Sequence, residues 1–236
     1  MISPKLMQNN PKANPLMLQD ESSYRTNLPA DWLAILVLAV LYTVGIFGIL
    51  LPIHQDFILL TPVNLLVSLA LVLWFHAGWD RGTRAFVVIA YLVGFGAELF
   101  GVQTGILFGE YTYGRVLGPK VWGTPLMIGV NWVMLSYSAG VIANHLLPER
   151  HWLLRGLASA LLMVGLDVLI EPVAMHYGFW SWEAEAVPLR NYLGWFLVAF
   201  PLQCLFAFWL GRALNKVAIA LFILQVLFFL FLGISL

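Results

Sequence analysis

Residues 156–177 read GLASALLMVGLDVLIEPVAMHY, and their only formally charged side chains are Asp167 and Glu171. About 20 apolar residues cross the roughly 30 Å hydrocarbon layer of a bilayer, so this stretch predicts a membrane-spanning helix. Six further stretches read the same way: 32–51, 57–75, 85–106, 124–147, 191–210 and 217–235. Span 57–75 is interrupted by Pro62 and Asn64. The whole chain of 236 residues is 61% hydrophobic and only 10% charged, with a mean hydropathy of +0.86. Soluble domains lie near half apolar and a quarter charged. That contrast excludes a soluble enzyme, a disordered chain and a nucleic-acid binder. The strands of a membrane barrel alternate in polarity and give no apolar runs of this length. The predicted fold is therefore all-α, a polytopic bundle of seven transmembrane helices forming one domain over residues 32–236. A formal net charge of zero points to no polyanionic partner, and the single cysteine, Cys204, permits neither an internal disulfide nor a Cys-based metal site.

Residues 1–31 are polar and carry four prolines. They read as a disordered cytoplasmic tail, and they lack the basic lead and short apolar core of a signal peptide. With the N-terminus inside, the inner segments hold nine Lys and Arg (Lys5, Lys12, Arg25, Arg81, Arg84, Arg150, Arg155, Arg212, Lys216) and the outer segments three (Arg115, Lys120, Arg190). That asymmetry follows the positive-inside rule and places the C-terminus outside. The expected location is a bacterial inner membrane.

Among all Asp, Glu, Lys and Arg of the chain, only Glu98, Asp167 and Glu171 fall inside the seven spans. A charge at mid-membrane costs about 2.5–3.5 kcal/mol on insertion scales, and such residues face a cavity or the bundle interior. Asp167 and Glu171 are four residues apart and share one helix face. Both their span and that of Glu98 run from inside to outside, so the three acids are expected to meet in the outer half of the membrane. Crowded there, they divide into a protonated carboxyl and a carboxylate, the pairing used in acid–base catalysis. The competing reading is structural: the acids bond to Asn131, Tyr137 or backbone and lock the bundle. The loops expected above them, 107–123 (LFGEYTYGRVLGPKVWG) and 178–190 (GFWSWEAEAVPLR), are rich in aromatics and contain Glu110 and Arg190. Aromatic faces stabilise a desolvated cation by about 2 kcal/mol. Gly101, Gly105 and Gly109 have the spacing of close helix packing. No HExxH or comparable ligand spacing occurs, so no metal is expected.

Four blocks carry a family likeness: 96–114 (GAELFGVQTGILFGEYTYG), 117–125 (LGPKVWGTP), 167–174 (DVLIEPVA) with 178–182 (GFWSW), and 187–195 (VPLRNYLGW). Together they resemble the integral-membrane carotenoid hydratase family, whose members act on γ-carotene-type or bisanhydrobacterioruberin-type ends. The resemblance covers roughly residues 30–236. It implies hydration of the terminal 1′,2′ double bond of a carotenoid ψ end group to a tertiary alcohol, without a cofactor. The substrate would be lycopene- or γ-carotene-like, with water, the lipid bilayer and other carotenoid enzymes as partners.

The residue types suit that chemistry. Protonating a trisubstituted alkene leaves a tertiary cation, so the site needs a dry acid, a cation-tolerant wall and one held water. Asp167 is the expected acid, with Glu171 or Glu98 orienting water. Trp180, Trp182, Tyr111 and Tyr113 are the expected wall, with Glu110 beside them on the substrate. Asn191 and Asn131 are expected to hold the water. Three rivals stand beside this reading. Membrane acids also serve proton-coupled transporters, although no inverted repeat is evident here. A noncatalytic carotenoid or quinone binder would retain pigment unchanged. A lipid hydrolase would need a nucleophile, and no GxSxG elbow occurs.

Overall fold

The computed structural model describes residues 28–51, 54 and 56–236. Residues 1–27 of the expected tail lie outside that description. Seven helices in the described residues are long and apolar enough to cross a membrane. They are α1 (Leu28–Leu50), α2 (Thr61–Trp74, preceded by a 3₁₀ turn at Phe57–Leu60), α3 (Arg81–Thr104), α4 (Leu126–Leu146), α5 (Trp152–His176), α6 (Leu189–Trp209) and α7 (Lys216–Ile234). The protein is an all-α, integral membrane bundle. Helix α1 starts at Leu28, four residues before the expected span. Pro62 does not break α2, because it lies in the helix's first turn, where its missing N–H goes unneeded.

Helix α4 is the axis of the bundle. Nearly every residue from Ile128 to Asn144 is buried, and α2, α3, α5, α6 and α7 all pack on it. The outer faces of the surrounding helices carry exposed apolar side chains such as Val88, Leu161, Leu193 and Leu227. Water would not tolerate a continuous surface of this kind, and lipid does. Helix α3 approaches α4 closely at Gly94, where an added Cβ would come within 2.1 Å of Trp132 Cγ. Small residues at such crossings allow tight packing in lipid.

At one end of the bundle the two aromatic loops join. Strand β1 (Tyr111–Tyr113) pairs antiparallel with β4 (Trp180–Trp182), setting Tyr111 against Trp182 and Tyr113 against Trp180. A second short ribbon pairs β2 (Lys120–Val121) with β3 (Thr124–Pro125). Side chains alternate along a strand. The outward Thr112 and Ser181 bond each other over 3.1 Å, while the four aromatics turn toward the helices. Gly114 N–H donates to Phe179 C=O and extends the ladder. A Cβ at Gly114 would lie 2.0 Å from the Gly178 carbonyl oxygen, so only glycine fits. The expected glycine packing motif resolves differently. Helix α3 ends at Thr104, and Gly105 (φ 65°) and Gly109 (φ 114°) shape the turn after it. A Cβ at any of the three would meet the loops rather than another helix: Phe108 at Gly101, Glu110 at Gly105 and Pro188 at Gly109.

Candidate active site

Glu98 on α3 and Asp167 and Glu171 on α5 are all buried and line one cavity of about 30 Å³ beneath the β1–β4 ribbon. A space of that size holds one or two waters. The spacing of four residues puts Asp167 and Glu171 on the inner face of α5, and α3 delivers Glu98 from across the bundle.

Each acid has its own set of donors. Glu98 accepts Tyr111 O–H at 2.6 Å and Tyr113 O–H at 2.7 Å on Oε2, and Trp132 Nε1–H at 3.2 Å on Oε1. Glu171 accepts Trp180 and Trp182 Nε1–H, both at 2.9 Å, on Oε2, and Asn191 Nδ2–H at 3.0 Å on Oε1. Asp167 accepts only Asn191 Nδ2–H, at 2.8 Å on Oδ2. Its Oδ1 is buried without a protein partner. One amide nitrogen on α6 therefore ties the two α5 acids together. Three donors on an oxygen pair favour a carboxylate. A single donor and a bare oxygen leave room for a carboxylic O–H.

Burial, and then the Glu98 carboxylate, push the Tyr111 and Tyr113 phenols well above their ordinary value. Both remain O–H donors across the whole physiological range. Aromatic rings complete the walls: Trp132 stacks on Trp195 at 4.6 Å between centroids, and Tyr111 lies 4.9 Å from Trp182. The oxygens of Glu98 and Glu171 already accept from N–H and O–H donors, which compete with direct metal ligation while leaving the carboxylate charge in place. Among the described residues no three His, Cys, Asp or Glu side chains converge as a metal shell.

Residues 56–236 match the family described as carotenoid biosynthesis protein. The chain belongs to that family. A relative in Haloarcula japonica, bisanhydrobacterioruberin hydratase, is 34% identical over 140 residues, covering 57% of this chain and 48% of the relative. The chain thus spans about half the length of the curated relative it matches. No solved structure matches it.

Nine of the ten expected site residues line the cavity: Glu98, Tyr111, Tyr113, Asn131, Asp167, Glu171, Trp180, Trp182 and Asn191. Glu110 does not. It is exposed and lines a separate surface hollow with Glu183 and Arg190, on the far side of Trp182. The period of two explains this, since Glu110 precedes Tyr111 and faces the other way. The aromatics are also more than a wall, because their polar ends bind the acids. Asn191 is engaged with both α5 carboxyls, and the Asn131 side chain makes no hydrogen bond within the described residues. Tyr137 does not hold the acids either. It bonds His76 Nδ1 at 2.6 Å, beyond the far end of α2.

Four cavity residues escaped the sequence reading: Ile128, Ile170, Trp132 and Trp195. Trp132 lies deep in its span, away from any interface, and a buried indole N–H needs a partner. That mismatch was the available signal.

Proposed function

We propose that this protein hydrates the terminal 1′,2′ double bond of a linear carotenoid end by acid-catalysed addition of water. The observation that carries the reading is the unequal solvation of three buried acids around a water-sized cavity. Asp167, with its unpartnered oxygen, carries the proton. Glu98 and Glu171, each satisfied by three donors, are the carboxylates.

Asp167 delivers its proton to C2′, the less substituted alkene carbon. The alkene π pair forms the C–H bond, and positive charge develops on the tertiary C1′. The two carboxylates and the indole and phenol rings stabilise that charge in a site with little competing water. A water held between Asn131 and Glu171 adds its oxygen to C1′, and its surplus proton passes to Glu171. Return of that proton to Asp167, which shares Asn191 with Glu171, restores the site. Only water is consumed, and the product is a tertiary alcohol.

The family match and the hydratase relative support carotenoid hydration, and the acid set supports the protonation route. The test is co-expression with lycopene biosynthesis in a heterologous host, followed by mass spectrometry of the pigments. Native chain should yield lycopene plus one water. Asp167→Asn should leave lycopene unchanged. Unaltered pigment with native chain would end the hydratase reading and leave the binder or transporter.

A further inference from the structure

The acid cavity is too small for a polyene, and it adjoins a much larger space. An apolar groove of about 270 Å³ runs between α1, α2, α5 and α7. The cavity and the groove share four lining residues, Ile128, Asn131, Ile170 and Trp180. These form a neck between them. Gly45, Val67, Ala174 and Phe228 are among the apolar walls. The rim is exposed on the bundle's lipid-facing side at Val44, Leu60 and Val63. Helices α1 and α2 scarcely touch, whereas α1 packs along α7.

We propose that the substrate's conjugated chain lies in this groove, reached sideways from the bilayer between α1 and α2, while its end group passes the neck to the acids. The proposal rests on the hydratase reading for its substrate and on the shared neck for its geometry. A carotenoid dissolves in the hydrocarbon layer, so sideways access spares it a passage through water. Lipid tails are as apolar as the groove, so burial from lipid brings no hydrophobic gain. Retention then depends on packing contact and on how little the ligand loses by being held. A conjugated chain is already stiff and extended, whereas a saturated acyl chain must give up rotational freedom. The groove therefore selects a rigid polyene over the surrounding lipid. At the neck, Asn131 is the one polar group not committed to an acid, and it orients the water toward the incoming carbon.

The test uses full-length protein in detergent with lycopene as the probe. Val63→Trp and Val67→Trp fill the groove from α2, and both positions are exposed enough to accept a large side chain without burdening the fold. Val88→Trp, on the outward face of α3, is the control. Retained lycopene is read on the Asp167→Asn background, where no turnover intervenes. KM and kcat are read with Asp167 intact. The groove variants should lose the retained pigment and raise KM about tenfold or more, with kcat changed by about twofold at most, and the control should do neither. Lycopene displaced by the groove variants, with no hydrated product from any chain, supports the groove and defeats the hydratase reading. Groove variants that keep native pigment binding and KM overturn the proposal. So does a native chain that retains phospholipid but no lycopene, which would make the groove a lipid site.

Discussion

Asp167→Asn separates chemistry from packing, because an amide fits there without losing a hydrogen bond. Asn191 Nδ2 donates to Asp167 Oδ2 over 2.8 Å, and Oδ1 has no protein partner. An asparagine that keeps its carbonyl oxygen at the Oδ2 position retains that bond. Its NH₂ then replaces the unpartnered oxygen. Glu171→Gln has no such solution. Both Glu171 oxygens accept, from Trp180 and Trp182 on one side and Asn191 on the other. Glutamine offers a single oxygen, so at least one donor must face an NH₂. Glu98→Gln can keep the indole bond on its oxygen and donate its NH₂ to the two phenols, which then lose their charged acceptor. Losing a hydrogen bond to a charged acceptor costs about 1.5–3 kcal/mol. For a chain of this size that lowers Tm by roughly 3–12 °C. Asp167→Asn should therefore insert and melt within about 2–4 °C of the native protein. Its hydration rate should fall by about 10²–10⁴-fold, the usual contribution of a general acid. Glu171→Gln and Glu98→Gln should lose both rate and stability. Thermal melting in detergent and pigment analysis of the membranes read the two quantities separately. Near-native hydration by Asp167→Asn would falsify its role as the acid. A fall in its Tm as large as that of Glu171→Gln would refute the donor assignment behind the argument.

Tyr113→Phe keeps the ring and removes one of the two phenol donors to Glu98, so stability should drop by about 1.5–3 kcal/mol with slower hydration. A double variant with Tyr111→Phe should be worse than either, and unchanged melting of the double variant would count against an ionised Glu98. Reporter fusions after residues 115 and 185 must agree with each other, because β1 and β4 pair directly. The Lys and Arg count predicts that both report the outside, and opposite reports would contradict the ribbon. Hydration should survive a chelator, since the Glu98 and Glu171 oxygens face hydrogen-bond donors; loss reversed by a single metal ion would overturn this. Burial holds the His76 imidazole below its ordinary value, against the pull of Asp80. The folded chain then binds that proton less readily than the unfolded chain, so stability should fall as pH drops through about 6.5. Melting curves between about pH 8 and about pH 5 should show this slope, and it should flatten in His76→Gln.

The amino-acid sequence alone determined the seven spans, because apolar runs of this length have no other stable home, and it singled out Glu98, Asp167 and Glu171, because a buried charge is costly wherever the helix packs. The helical period placed Asp167 and Glu171 on one face with no further information. The meeting of Glu98 with them was an inference from depth, and only the packing of α3 and α5 on α4 brings the three to one cavity. The motif Tyr-Thr-Tyr and the motif Trp-Ser-Trp each carry a period of two, but 69 residues separate Thr112 from Ser181, and nothing local says that the two strands pair. That pairing turns Tyr111, Tyr113, Trp180 and Trp182 inward as donors and leaves Glu110 outside. Tertiary structure also decided which acid differs from the others. Asn191 on α6 has one amide nitrogen to share between two carboxyls, while the loop aromatics reach only Glu98 and Glu171, so Asp167 alone is left with an oxygen free to hold a proton.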